Sequence, residues 1–546
     1  MRNTKRIRMA EVQDSKRDCF ASLAMTAEAT MTSGTIARTD RPTVCKLHYR
    51  RVLTSVGLAA LSEVFAGLGS AAILGGNIAK ADAGRFSYWA AEPREIFEFR
   101  SGQKEPFAKV YRILGKYAFA EADSVDSRPF GFAPGGLRSG QALRGNDKSG
   151  NILPKGMFHG GWIGYFSYEL GRYIEKLPET AIDDLGMPLI RLCFYDRVIA
   201  YDHNEGVFWL IALELPGDCV GPDEKLAGLE QLLGKAAKTS VTRPAPADLD
   251  EIDLSQFRCN MDKGYYLQML GKIRRHIYDG DVYQINFSQR FECDYSAEAM
   301  DLFHWQSLYN PSGYAAYIDG GDFHIVSASP EMFITISDGF IRTKPIKGTR
   351  RRFCPTPENR VQAKQINEKN YYELLHSEKE QAELNMIVDL ERNDLARICV
   401  PGTRRVIQPR TIETYPTVFH AVATVAGQLR SEVGFCDILR AMFPGGSITG
   451  APKIRSMEII DQTEPTARGV YTGSIGYIGL DGNVCLNIAI RTIIIAGAKA
   501  FAQTGGGIVA DSDPEAEWTE TITKARALLA GINSVQRNSS CVMRRA

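Results

Sequence analysis

Short apolar runs separated by polar turns mark the chain from about residue 85 to residue 235. RFSYWAAEP, GGWIGYFSYEL, RLCFYDRVIAYD and GVFWLIALEL are rich in aromatic and branched residues and predict strands. Beyond residue 255 the pattern changes from segment to segment. CNMDKGYYLQMLGKIRRHIYDGD predicts a helix, whereas VYQINFSQRFECD and GYAAYIDGGDFHIVSA predict strands. Residues 358–396 predict a long charged helical stretch. Hairpins are predicted around Asp481-Gly482 and Ala496-Gly497. Asp513-Pro514 starts a helix, with a cap residue followed by proline at the first helical position. Strands and helices do not alternate as βαβ units, so the pattern favours an α+β fold over a doubly wound sheet.

Several stretches break this pattern. The first 45 residues have no apolar period and read as a disordered extension, with Glu11, Asp14 and Asp18 arguing against a transit peptide. VLTSVGLAALSEVFAGLGSAAILGG at 52–76 is long enough to raise a membrane span. Its Gly and Ser residues, Glu63 and the polar segment that follows favour a helix and then a strand. Gly, Pro, Ser and Asn crowd 126–156 and predict a long irregular loop. TSVTRPAPADLDEID reads as a linker. The expected organisation is an extension 1–45, an amino-terminal region 46–238, a linker 239–254, a second region 255–535 and a flexible tail 536–546.

The 546 residues allow a large core, and a net charge of +1 gives no reason to expect nucleic acid or anionic lipid as a partner. Eleven cysteines without a C-x-x-C pair argue against a disulfide framework or zinc site and fit a reducing cytoplasm.

Candidate chemistry is concentrated in the second region. Glu380 and Glu383 lie three apart, as do Glu517 and Glu520. On a helix, that spacing turns both carboxylates of a pair to one side, and Lys524 shares the face of Glu520. An isolated E-x-x-E is usually a solvated helix face. Here the second pair follows TGGGIVADSDP, whose bare backbone amides could receive an anion. Carboxylates from two helices suit Mg²⁺, which takes one or two of them and completes its shell with water and an anionic substrate. FPGGSITGAPKIRS is a second glycine-rich segment without the spacing of a phosphate loop. His420 follows an aromatic stretch and by default is a buried structural histidine. Arg491, in the apolar strand-like NIAIRTIII, needs an anionic partner. Lys347 lies in PIKGT, which reads as a tight turn, and three arginines follow it.

GDVYQINFSQRF, PIKGT, AELNMIVDLERND, PTVFHAVATVAG, FPGGSITGAPK, RGVYTGSIGY, NIAIRT and GGGIVADSDPEAEWTET occur in the order of the chorismate-utilising enzymes. The region 255–535 resembles that family along its whole length. GGWIGYFSYEL also resembles the amino-terminal part of the anthranilate and aminodeoxychorismate branches. The resemblance implies two packed antiparallel β-sheets surrounded by helices, with the site between them. It implies that Glu383 and Glu520 hold Mg²⁺, with Glu380 and Glu517 beside them acting through water. Tyr471, Arg491, the amides of Gly505, Gly506 and Gly507, and Lys524 are then expected to hold the carboxylates of chorismate. His420 and Ser447 are expected near the ring and its departing C4 hydroxyl. Gln284 stands where isochorismate- and salicylate-forming members carry a water-activating lysine, which argues against water as nucleophile.

PIKGT, where anthranilate synthases resemble PIAGT, and SITGAPK in place of TLSGAPK resemble the aminodeoxychorismate branch. That branch implies attack of Lys347 on C2 of chorismate, loss of the C4 hydroxyl, and addition of ammonia at C4 toward folate precursors. The amine must be neutral to attack, so its pKa has to fall. No G-x-C-x-G elbow occurs, so ammonia is expected from a separate glutamine amidotransferase subunit or from solution. The alternatives are an anthranilate synthase, which shares everything but Lys347, and a non-catalytic chorismate-binding subunit, which would be expected to have a broken carboxylate set.

Overall fold

The structure is a computed structural model that describes residues 42–75, 84–119, 152–247, 252–353, 359–415 and 418–543, with side chains up to residue 537. Most of the predicted extension and of the 126–156 loop lies outside these residues.

Each apolar run between 85 and 235 forms strand: Phe86–Ala90, Gly161–Phe166, Ile190–Tyr195 with Arg197–Asp202, and Val207–Glu214. In Val207–Glu214, Trp209, Ile211 and Leu213 enter one core while Phe208, Leu210 and Ala212 enter another. Burial on both faces is why this strand reads as an unbroken apolar run. Among the described residues the strands assemble into two sheets. The larger has 13 strands and runs from Arg258–Cys259 through Gln284–Asp294, Lys499–Ile508, Thr492–Ala496, Phe323–Ser329 and Tyr314–Asp319 to Ala72–Leu74. It continues through Phe86–Ala90, Arg197–Asp202, Val207–Glu214 and Thr43–Val52 to Tyr117–Phe119, and Gly450–Ala451 pairs with Gln284–Asp294. The smaller has 10 strands, ordered Ile346–Arg351, Val418–Gln428, Phe340–Lys344, Met332–Ser337, Val484–Asn487, Ser474–Gly479, Gly161–Phe166, Ile190–Tyr195 and Glu95–Phe99, with Arg405–Thr414 on Val418–Gln428.

Among the described residues the pairings between these strands are antiparallel except Thr43–Val52 with Tyr117–Phe119. Both sheets draw strands from both regions read in the sequence. Trp162 and Phe166 of the smaller sheet meet Trp209 and Phe287 of the larger in one core. A second core lies under the helices Leu58–Ala66, Pro222–Ala236, Ala299–Tyr309 and Pro514–Met543, built from Phe65, Leu229, Trp305 and Leu529. This is the α+β, two-sheet architecture expected.

The 52–76 stretch forms the expected helix, Leu58–Ala66, and then the strand Ala72–Leu74, and no helix among the described residues is long and apolar enough to cross a membrane. Three other expectations need correction. Residues 358–396 form two helices, Arg360–His376 and Glu378–Ala396, broken at Ser377. Ser377 is extended (φ −70°, ψ 109°), and its hydroxyl caps the second helix. A strand already opens at Thr43, and the last helix runs to Met543. PIKGT forms a strand with an irregular register instead of a tight turn.

Candidate active site

Lys347 lies in the edge strand Ile346–Arg351. The register against Val418–Gln428 slips between Ile346 and Thr349, a bulge that takes Lys347 and Gly348 out of the ladder. Gly348 has φ +92°, and a Cβ there would sit 2.9 Å from Leu374 Cδ1 and 2.9 Å from Glu380 Oε2. Both its conformation and its space therefore require glycine. Lys347 Nζ donates to the Ser447 carbonyl at 3.1 Å. Ser447 belongs to the turn Gly446–Ile448, whose Gly446 N–H donates to the buried Glu391 at 3.2 Å. Burial lowers the Lys347 pKa against the opposing pull of Glu331 and then Glu383.

Glu331 was missed in the sequence. It is buried, accepts the Ile346 N–H at 3.2 Å, and its carboxyl pKa is raised by burial despite Ser447 and Lys347. The signal was Asp338-Gly339, the turn of a hairpin in which Met332 pairs with Lys344. That register returns the chain so that position 331 lies beside Pro345 and Ile346. Lys347 and the buried Glu331 are each pushed toward their neutral forms, a pairing that suits a nucleophile and a proton donor.

His420, on the strand Val418–Gln428, is buried and shares a 2.8 Å Nδ1–Oγ1 hydrogen bond with Thr349. Its Nε2 is buried without a partner, and burial, aided by Arg491, holds its pKa well below the usual value. The imidazole is therefore neutral near pH 7. Arg491 departs from expectation. It lies in the bend before the strand Thr492–Ala496 with φ +49°, not inside an apolar strand. No hydrogen bond or ion pair of its guanidinium occurs among the described residues, and burial lowers its pKa against Tyr415 and Glu331. An unpaired, half-buried guanidinium suits a carboxylate ligand.

Gly505, Gly506 and Gly507 lie in the strand Lys499–Ile508, opposite Ser288, Phe287 and Asn286. Added Cβ atoms would come 3.1 Å from Glu517 Oε2 at Gly506 and 2.1 Å from Gln284 Nε2 at Gly507, so the bare backbone makes room for these side chains. Gln284 is buried, and neither its Oε1 nor its Nε2 has a partner. Tyr471 is buried on the turn that follows Arg468. Arg468 spends its guanidinium on Glu464, the Ile448 and Asn286 carbonyls and Thr472, tying the segments of Gln284, Ser447 and Tyr471 together.

The helices Glu378–Ala396 and Pro514–Met543 carry the four paired glutamates. Glu380 pairs with Arg350 at 2.6 Å, Glu520 with Lys524 at 2.7 Å, and Glu517 accepts from Ser512 Oγ at 2.6 Å. Lys524 also donates to the Gly505 carbonyl at 3.1 Å. Glu383 makes no hydrogen bond or ion pair among the described residues. Burial raises the Glu383 and Glu517 pKa values, whereas at Glu520 burial is outweighed by Lys524 together with Lys379 and Lys347, which lower it. Among the described residues no three His, Cys, Asp or Glu side chains converge closely enough to cage a metal ion. Glu383, which has no ion-pair partner among the described residues and lies near enough to Glu520 to feel its charge, instead suits a cation that takes one or two carboxylates and leaves positions for water and substrate oxygens. None of these residues lines the cavity of about 540 Å³ bounded by Arg85, Phe86, Tyr314 and Met332.

An amine and a carboxyl each pushed toward neutrality, a guanidinium without a partner among the described residues and two carboxylate-bearing helices together suit a site for a small, acidic substrate. Residues 91–530 match the profile of chorismate binding enzymes, and the chain belongs to that family. Aminodeoxychorismate synthase component 1 of Bacillus subtilis is 40% identical over 371 residues, covering 68% of this chain and 76% of the relative. Anthranilate synthase component 1 of Pseudomonas putida is 38% identical over 392 residues, covering 71% and 77%. The crystal structure of anthranilate synthase component I from Streptococcus pneumoniae superposes with a TM-score of 0.60 at 27% identity, covering 83% of this chain and 94% of that one. The menaquinone-specific isochorismate synthase from Escherichia coli shares the fold, with a TM-score of 0.61 at 16% identity over 91% of this chain and 96% of that one.

Proposed function

We propose that the chain aminates chorismate to 4-amino-4-deoxychorismate through a covalent intermediate on Lys347. The observation that carries this reading is the bulge that holds Lys347 Nζ on the Ser447 carbonyl with the buried Glu331 bonded to the neighbouring Ile346 N–H, where burial lowers the amine pKa and raises that of the carboxyl. Neutral Lys347 Nζ attacks C2 of the ring, the two ring double bonds shift, and the C4–O bond breaks. Glu331 supplies the proton with which that oxygen leaves as water. Ammonia then adds at C4, the double bonds shift back, the C2–N bond breaks, and the Lys347 amine is restored. One proton from the added ammonia returns to Glu331.

Arg491, Tyr471 and Lys524 hold the substrate carboxylates, Gln284 faces the ring, and neutral His420 turns its free Nε2 toward it. Mg²⁺ held by Glu383 and Glu520, with Glu380 and Glu517 nearby, would offset the charge of the ring carboxylate. Ammonia comes from a separate glutamine amidotransferase subunit, and the product serves 4-aminobenzoate and folate synthesis in the cytoplasm.

The similar identity of a relative named anthranilate synthase favours a second reading, in which pyruvate is also eliminated. Chromatography of the product formed from chorismate, ammonium and Mg²⁺ separates the two. Aminodeoxychorismate supports the proposal, and fluorescent anthranilate refutes it.

A further inference from the structure

Three arginines follow PIKGT, and the proposed reaction uses none of them. Arg351 has a local explanation, with its guanidinium 4.7 Å from the Phe353 ring centre, and so has Arg352, which donates to the Tyr415 carbonyl at 3.2 Å. Arg350 reaches across to the helix Glu378–Ala396 and pairs with Glu380 Oε1 at 2.6 Å. Ser377 and Glu380 have the spacing of a capping box, in which the glutamate would turn back to the N–H of the cap residue. Only half of the box forms, the Glu380 N–H lying 3.4 Å from Ser377 Oγ. The carboxylate goes to Arg350 instead, which packs its second oxygen, buried and unpartnered, against Gly348. Glu383, one turn along the same face, feels Lys347 and Lys379 but has no ion-pair partner among the described residues.

We propose that Arg350 is a positioning residue that withholds Glu380 from the cation site. It neutralises this carboxylate and draws it away from its own helix cap, which leaves Glu383 as the carboxylate of that helix a divalent cation engages. The proposal rests on the reading of the paired glutamates as a cation site. A neutral Arg350–Glu380 pair adds little to the field there, so removing either partner alone changes cation affinity in opposite directions.

The test is calorimetric titration of MgCl₂ into the full chain without chorismate, for wild type, Arg350→Ala, Arg350→Lys, Glu380→Ala and the Arg350→Ala/Glu380→Ala double variant. Removing one charge a few ångströms from a dication is expected to change affinity roughly tenfold. Arg350→Ala should bind Mg²⁺ roughly tenfold tighter and Glu380→Ala roughly tenfold weaker. The double variant and Arg350→Lys should each return to within about threefold of wild type, because net charge is restored. A merely structural Arg350 would weaken binding when removed, and the double variant would be no better than Glu380→Ala. Either result, or unchanged affinity in Arg350→Ala, overturns the proposal while leaving the cation site intact. Absence of Mg²⁺ binding by wild type would overturn the cation site and this proposal together.

Discussion

Gly348→Ala isolates the geometry that holds Lys347. The φ of +92° costs an L-residue roughly 1–2 kcal/mol. The new methyl would also press on Leu374 Cδ1 and Glu380 Oε2, each 2.9 Å away. Neither can yield freely, since Leu374 is fully buried and Glu380 is held by Arg350. Overpacking of this kind costs about 1–3 kcal/mol, so the substitution should destabilise the chain by about 2–5 kcal/mol. Urea unfolding followed by tryptophan fluorescence measures it, with buried Trp162 and Trp209 as reporters. In a Glu380→Ala background one of the two contacts is gone, and the penalty should shrink by about 1 kcal/mol. A Gly348→Ala chain within about 0.5 kcal/mol of wild type would refute the account of why this lysine is followed by glycine.

Lys347 should react with an amine-acylating reagent at a lower pH than an exposed lysine, because burial lowers its pKa. The Glu331 carboxylate stabilises the ammonium form and opposes that shift. Glu331→Gln should therefore move the midpoint of Lys347 acylation to still lower pH, and a move upward would contradict the pairing. Turnover needs neutral Lys347 and protonated Glu331, so the wild-type rate should rise with pH on one limb and fall on the other. The limb owed to Glu331 should vanish in Glu331→Gln. Arg468→Lys cannot reproduce bonds to Glu464 and to the Ile448 and Asn286 carbonyls at once. It should cost about 3 kcal/mol in urea unfolding through orphaned buried carbonyls, and a neutral result would remove Arg468 as the tie between these segments.

The strands were legible because their runs are apolar and end at turn residues. Their assignment to sheets was not. Val207–Glu214 is buried on both faces, so its sequence carries no alternation to show which side faces which core. The break at Ser377 is a single extended residue inside an otherwise helical charged stretch, and the Leu374 and Ser377 carbonyls it exposes are taken by Arg410, a partner far along the chain. In the site, the glutamate pairs, Lys347 and Arg491 stood out as charges at odds with their surroundings. Glu331 did not, because one acid in SASPEMF has no local partner until the hairpin brings Lys347 back. Gly505 to Gly507 were read as bare amides open to an anion; that they lie in a strand whose missing Cβ atoms leave room for Glu517 and Gln284 depends on the register with Gln284–Asp294.

Mass spectrometry of the chain incubated with chorismate and Mg²⁺ in the absence of ammonia tests the central claim most directly. The account predicts an adduct of chorismate less water on Lys347, absent in Lys347→Ala and discharged by added ammonium. An adduct confined to another residue, or amination at an undiminished rate by Lys347→Ala, would contradict it.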